Sequence, residues 1–334
     1  MQKKYNNILV IQTAFTGDVI LGTSVLETLH DTLPEANISY LVRKGNEGLL
    51  SSHPFLKETL VWDKSNGKIK NLWKMARIIR SHRYDLVINL QRFATSGLMA
   101  AYSGTKEIRG FDKNPMSFLF HKKFPHSLED GRHEIERNFG LIQDITTRLV
   151  KPRLYPTPAH REKVKRNKPY ICLAPASVWH TKQWPAEHWA QLIRILSDEI
   201  DIVLTGGKGD AELCRQIISS SGKEIENAAG KYNLLESAAL IEHAEVTVSN
   251  DSAPVHLASA LNAPVIEIYC STVPKFGFYP LSDRMQIAET EEELICRPCG
   301  VHGKRACPLG HFRCATEIHP EKIAAYVRSF YTLA

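Results

Sequence analysis

The chain has 334 residues, 43% of them apolar and 23% charged, the balance of a globular protein built from two domains of ordinary size. No run approaches the roughly 18 consecutive apolar residues of a membrane span, and the start, M-Q-K-K-Y-N-N-I-L-V-I-Q, enters a strand without a signal-peptide core. Seven cysteines, all at or beyond Cys172, suggest a reducing cytosol rather than a disulfide scaffold. Charge divides the chain. Residues 1–166 carry 27 Lys and Arg against 16 Asp and Glu, a net of +11, and residues 167–334 carry 15 against 20, a net of −5, which together give +6. A basic N-terminal half points to an anionic partner there; nucleic acid, anionic lipid and a phosphorylated glycan all fit.

In chain order, Asn7–Gln12 reads as a buried parallel strand, Thr13–Asp18 as a turn, and a helix runs on to about Leu33. Strands are expected at Ile38–Val42, Thr59–Trp62, Leu86–Leu90 and Glu107–Gly110. Helices are expected at 45–53, at Ile69–His82 (amphipathic and basic), from about Thr95 to Tyr102, and at His133–Val150. Four prolines and a cluster of cations in 151–169 mark a linker, placed at 159–168. The alternation then restarts. Strands are expected at Tyr170–Leu173, Ile202–Leu204, Glu245–Ser249 and Val265–Tyr269, and helices at Pro185–Leu196, Ala211–Ser219 and Leu234–Ala244. A helix from about Pro320 to Tyr331 closes the chain. The predicted class is α/β, two Rossmann-like domains facing a cleft, with ligands at the carboxyl ends of the strands.

Four turns carry candidate chemistry. In T-A-F-T-G-D, Gly17 allows close backbone approach and Asp18 offers a carboxylate to take a proton from an acceptor hydroxyl, although a helix N-terminus favours its ionised form and weakens it as a base. In P-A-S-V-W-H-T-K-Q-W-P, Ser177, Thr181 and Lys182 suit a diphosphate. In T-G-G-K-G-D-A-E, Asp210 or Glu212 suits ribose hydroxyls. In S-N-D-S-A-P-V-H-L, Asn250 or Asp251 is expected to cap a helix opened by Pro254, leaving an anion site with Asp251 and His256 beside it. Each turn alone fits an ordinary βα connection; three in one domain describe a nucleotide pocket. Neither G-x-G-x-x-G after the first strand nor a P-loop occurs. Cys296, Cys299, Cys307 and Cys314, with His302 or His311, are spaced for a structural zinc or for a loop of free thiols.

With T-G-D, H-E-I-E-R-N (His133–Asn138), T-K-Q-W-P, N-D-S-A-P-V-H-L-A-S-A-L and the cysteine segment assembled, the chain resembles the ADP-heptose:lipopolysaccharide heptosyltransferases, glycosyltransferase family 9. The resemblance implies a GT-B fold: an acceptor domain (1–158), a linker (159–168), a nucleotide-sugar domain (169–318), and a terminal helix (319–334) packing back toward the first domain. It implies inverting, metal-independent transfer from ADP-heptose to the lipopolysaccharide inner core, with Asp18 as base and no cofactor required. It places Ser177, Thr181, Lys182, Asp210, Glu212, Asp251, Ser252, Ala253 and His256 on the donor, Ala253 standing where many relatives have Gly. Thr16, Gly17, Arg43, Arg92, Arg109, Lys113 and His133 are expected on the acceptor, with Lys44, Lys122, Lys123 and Arg132 on the same basic face. The expected setting is cytoplasmic, peripheral to the inner face of the cytoplasmic membrane, with no nucleic acid partner. The competing readings are a GT-B transferase with another nucleotide sugar, a nucleotide-sugar epimerase, and a non-catalytic sugar-nucleotide binding protein.

Overall fold

The computed structural model describes residues 5–65 and 67–331. The chain divides into two units, Met1–Tyr155 and Pro156–Ala334. In the first, six strands, β1 (Asn7–Gln12), β2 (Asn37–Arg43), β3 (Leu56–Trp62), β4 (Leu86–Asn89), β5 (Ile108–Phe111) and β6 (Lys122–Phe124), form one parallel sheet ordered β3-β2-β1-β4-β5-β6. Its helices are α1 (Thr16–Thr32), α2 (Lys68–Ser81), α3 (Ala94–Tyr102) and α4 (Glu134–Phe139). Ile8–Ile11 of β1 are fully buried, which is why that strand reads as an unbroken apolar run.

The second unit repeats the plan. Its strands are β7 (Tyr170–Ala174), β8 (Asp201–Leu204), β9 (Glu226–Asn227), β10 (Thr247–Asn250), β11 (Val265–Tyr269) and β12 (Met285–Glu289). They form a parallel sheet ordered β12-β11-β10-β7-β8-β9. Read from the other edge this is again 3-2-1-4-5-6, the doubly wound order, so each unit has one place where the chain reverses its direction of travel across the sheet: β1/β4 in the first and β7/β10 in the second. Ligands of such sheets bind at the carboxyl ends of those strands. The helices are α5 (Pro158–Val164), α6 (Ala186–Leu196), α7 (Ala211–Ser221), α8 (Leu234–Glu242), α9 (Ala253–Leu261), α10 (Arg313–Thr316) and α11 (Pro320–Tyr331). No helix among the described residues is long and apolar enough to cross a membrane.

Three expectations change. The helix predicted over 133–150 stops at Phe139, with Gly140 as its C-cap; beyond it the Leu141 carbonyl and the Asp144 carboxylate both turn to the Arg109 guanidinium. The predicted linker 159–168 falls largely on α5, which Thr157 caps and Pro158 opens. Its Arg161 pairs with Glu242 of α8 (2.7 Å), so it belongs to the second unit. The terminal helix, expected to reach back to the first domain, buries Ile323, Ala324, Val327 and Phe330 in the core of the second unit with Trp189, Leu192, Ile193 and Leu196 of α6. Arg328 holds Glu199 at the same junction.

Candidate active site

In the first unit the turn after β1 delivers the chain to α1, whose N-cap, Phe15, offers no side-chain cap. The backbone N–H groups of Phe15 and Asp18 in that first turn pull the half-buried Asp18 carboxyl toward its ionised form. Burial and the nearby Glu134 nevertheless push Asp18 up to about 6, against the pull of Arg92 and of those N–H groups. Burial therefore outweighs the helix end, and Asp18 titrates close to the range of a working base.

Glu134 comes from α4 and is buried. His126 Nε2 stands 3.4 Å and Arg137 Nε 2.9 Å from its Oε2, and these two partners overcome its burial and hold it below the usual carboxylate range. The charge on Glu134 thus persists beside Asp18. Its signal was present in H-E-I-E-R-N, where sequence reasoning singled out His133 instead. His133 is itself buried as the N-cap of α4: it accepts from Ile135 N–H, and Glu136 returns the bond to its own N–H. It serves the helix rather than an acceptor surface.

Around the β1–α1 turn, Lys64 Nζ donates to the Thr13 carbonyl (2.6 Å) and Asn46 Nδ2 to that of Ala14 (3.3 Å), while Thr16 Oγ1 donates to Asn46 Oδ1 (3.0 Å). Arg43 lies over the exposed Phe15 ring (4.9 Å). Burial, Arg43 and Lys68 depress the Lys64 pKa, so three cations crowd this edge of the sheet. Sequence reasoning missed Lys64. Across the β1/β4 switch, Gln91 bonds Gln12, and Asn114 Nδ2 donates to the Gln91 and Phe93 carbonyls (2.8 and 3.0 Å). Half-buried Arg92 follows directly.

Other acceptor candidates are placed differently. Arg109 is 1% exposed and spends its guanidinium on Glu107, Asp144, the Leu141 carbonyl and Tyr5. It is an internal strut and leaves no face for a ligand. Lys122 pairs with Asp144 (2.5 Å), Arg132 with Asp130 (2.7 Å) and Lys44 with Asp63 (2.9 Å). Lys113 and Lys123 are exposed, and Gly17 is half-buried in the first turn of α1.

In the second unit the two turns at the β7/β10 switch are tied together. Asn250, at the end of β10, donates from Nδ2 to the Pro175 carbonyl (2.6 Å) and accepts the Trp184 N–H at Oδ1 (3.0 Å). It therefore clamps the loop after β7 and does not cap α9. Ser252 is the N-cap, without a side-chain bond to the helix, and its Oγ lies 3.3 Å from Ser249 Oγ. An uncapped helix with Pro254 in its first turn leaves backbone donors for an anion.

Beside that opening, Lys182 Nζ meets Asp251 Oδ2 at 2.6 Å, and Thr272 Oγ1 donates to the same oxygen at 2.6 Å. Ser252 and Ala253 are half-buried and His256 is buried on α9. Glu267, fully buried on β11, is pushed well above the usual carboxylate range by burial and then by Asp251, with Lys182 opposing. That shift disfavours a second carboxylate charge beside the Lys182–Asp251 pair.

Thr181 is 1% exposed; its Oγ1 accepts from Ser271 Oγ (3.0 Å) and from the Lys304 N–H (2.7 Å). It fixes the loop and is closed to a ligand. Ser177 is half-buried, and its carbonyl accepts from Gln183 Nε2 (2.6 Å). Asp210 accepts the Gly207 N–H (2.7 Å), which fixes the glycine turn. Glu212 is exposed and bonded to Arg215 and Gln216, an ordinary surface acid.

The cysteine segment braces the same pocket. Arg297 Nε donates to the Cys270 carbonyl (2.9 Å), its Nη2 donates to the Thr272 carbonyl (2.9 Å) and pairs with Glu289 (2.7 Å), and Cys299 N–H bonds the Ser271 carbonyl (2.8 Å). At Gly303 (φ 77°) a side chain would press on Thr181, Lys182 and Ser271. Cys296, Cys299, Cys307, Cys314 and His311 line a cavity of about 260 Å³. Cys296 Sγ is 3.9 Å from His311 Nε2, and among the described residues no group of three or more His, Cys, Asp or Glu is spaced to hold a metal ion.

The first unit thus offers a carboxyl tuned toward neutrality, and the second a cation at an uncapped helix end. Comparison with known proteins places the chain in a family. Lipopolysaccharide heptosyltransferase 3 of Escherichia coli K12 is 28% identical over 277 residues, 77% of this chain and 80% of that protein. The structure of Escherichia coli ADP-heptose lipopolysaccharide heptosyltransferase II superposes with a TM-score of 0.81 at 24% identity, over 98% of this chain and 99% of the other. A family 9 glycosyltransferase from Veillonella parvula superposes with a TM-score of 0.85 at 20% identity, over 100% and 99%. Residues 72–308 match the profile of glycosyltransferase family 9 (heptosyltransferase), and the chain belongs to that family.

Proposed function

We propose that this glycosyltransferase moves a heptose from ADP-heptose to the inner core of lipopolysaccharide with inversion at the anomeric carbon. The observation that carries the reading is the Lys182–Asp251 pair beside the uncapped start of α9. A lysine held at a helix N-terminus is a preformed counter-charge for a diphosphate, strongest when that diphosphate departs with its extra negative charge. Asp251 acts on the donor through Lys182, orienting the ammonium and leaving it two further protons to donate.

In this reading Asp18 is the general base. It removes the proton of the acceptor hydroxyl as the oxygen attacks the anomeric carbon, the bond to the ADP oxygen breaks, and ADP leaves with the electron pair. A pKa of about 6 keeps Asp18 ionised at neutral pH while making it a stronger base than an ordinary aspartate. Burial is the larger cause of that rise, and the charge on Glu134 adds to it. Arg43, Lys64 and Arg92 around the turn fit phosphates or acidic sugars of the acceptor, and Ser252, Ala253 and His256 line the donor side. The work is cytoplasmic, at the inner face of the membrane.

The test is incubation of the purified protein with ADP-heptose and truncated core acceptors, with product mass and anomeric linkage as readouts. One added heptose, in the configuration opposite to the donor's, supports the reading. Isomerisation of the sugar nucleotide without acceptor, or retention of configuration, contradicts it.

A further inference from the structure

Helix α2 has no role in the chemistry above, yet its composition is extreme. Between Asp63 and Asp85 the chain carries seven cations (Lys64, Lys68, Lys70, Lys74, Arg77, Arg80 and Arg83) and no acid. The helix buries Leu72, Met75, Ala76 and Ile79 against the sheet. Its outward side is not simply charged: Ile69 is 74% and Trp73 44% exposed, one turn apart. Trp73 rests edge-on against Tyr102 of α3 at 5.6 Å, and Tyr102, itself 38% exposed, is held by Arg80 at 5.2 Å over its ring. Lys70, Lys74 and Arg77 are exposed along the same helix.

A solvated helix face needs cations but not an outward isoleucine and tryptophan among them. Aromatic and aliphatic side chains ringed by Lys and Arg match a bilayer interface, where apolar groups enter the headgroup layer and cations meet anionic lipid. The start of the helix adjoins the site: Lys64, four residues before Lys68, holds the Thr13 carbonyl in the turn that leads to Asp18.

We infer that the outward face of α2, with Ile69, Trp73, Lys70 and Lys74 and the adjoining Tyr102, docks the first unit on an anionic lipid bilayer. This deepens the proposed function and rests on its reading of the acceptor as a glycolipid. Docking here brings the β1–α1 turn to the headgroup level, where a lipid-borne sugar presents its hydroxyl. The two sources of affinity are distinct: Ile69 and Trp73 supply salt-insensitive burial, Lys70 and Lys74 salt-sensitive attraction.

The test is co-sedimentation of the full chain with vesicles of phosphatidylcholine alone and of phosphatidylcholine with 30% phosphatidylglycerol (about a third anionic, in the spirit of a cytoplasmic leaflet). Binding to the anionic vesicles is expected, weakened by added salt. The double variant K70A/K74A is expected to bind roughly thirtyfold more weakly, and Ile69→Ser, which removes no buried contact, is expected to weaken binding with the salt dependence retained. Both are expected to keep wild-type turnover on a delipidated, water-soluble acceptor and to lose it on a vesicle-borne one. Failure to bind anionic vesicles, or binding that neither variant changes, overturns the inference. Equal loss of turnover on the soluble acceptor also overturns it. Vesicle binding with the expected variant pattern but no heptose transfer by the wild type supports the docking surface and rejects the proposed function instead.

Discussion

Lys182 Nζ and Asp251 Oδ2 stand 2.6 Å apart, joining the loop after β7 to the end of β10, and Thr272 Oγ1 donates to the same carboxylate oxygen. Lys182 and Asp251 side chains are 15% and 10% exposed, so neither charge is well solvated without the other. Lys182→Ala should lower stability by about 2 kcal/mol by leaving Asp251 unpaired and should weaken ADP binding. Lys182→Met with Asp251→Asn should restore the melting midpoint while turnover stays low. Thermal melts read beside turnover separate the two roles. A double variant that recovers both would show that the pair serves the fold alone.

Asp18 predicts a pH signature. Its folded value, about 6, exceeds its ordinary 3.8, so the folded state binds the proton more tightly than the unfolded chain does. Folding is therefore favoured below about pH 4, and that advantage is lost as pH rises through about 6. Asp18→Asn should be more stable than wild type at pH 7.5, by about 1–2 kcal/mol after discounting for its partial exposure, with the difference gone by pH 4. Denaturant titrations at the two pH values check this. In wild type, kcat/KM should rise with unit slope to a plateau above pH 6.

Glu134→Gln should move that kinetic pKa downward, because the negative charge on Glu134 helps, after burial, to raise Asp18. The variant keeps hydrogen bonding to Arg137 and removes only the negative charge. A pH profile unchanged from wild type would place Glu134 outside the electrostatics of the base.

Gly22 carries α1 across the Tyr40 ring. Tyr40 Oη donates to the Val19 carbonyl (3.0 Å), and a methyl group at Gly22 would collide with that oxygen. Gly22→Ala should destabilise by about 2 kcal/mol, as overpacking does, and displace the turn holding Asp18. Adding Tyr40→Phe should recover part of the loss, as seen in melting midpoint and turnover together.

Local signals in the sequence carried most of the fold. β1 (N-I-L-V-I-Q) and β11 (V-I-E-I-Y) are mostly apolar, and their bounds agree with the reading; α11 agrees because Pro320 opens it. Reading failed where distant partners decide. The run after His133 is apolar enough for a long helix, but Gly140 and the pull of Arg109 on Leu141 and Asp144 end it. Arg109 itself looks like any surface cation in sequence. Its burial depends on Glu107, Asp144 and Tyr5, the last 104 residues away. The turns at the strand ends were legible because small and polar residues there announce themselves. Which of their side chains remain open was not: Thr181 is consumed by Ser271 and Lys304, and Asn250 by Pro175 and Trp184.

The most direct measurement compares wild type and Asp18→Asn for ADP-heptose binding by calorimetry and for heptose transfer to the core acceptor. Donor affinity within about threefold of wild type is expected, because the proposed donor contacts are all in the second unit. Turnover is expected to fall by roughly 10³-fold, the scale of a lost general base. Turnover of the variant within tenfold of wild type would remove Asp18 as the base and contradict the proposed mechanism.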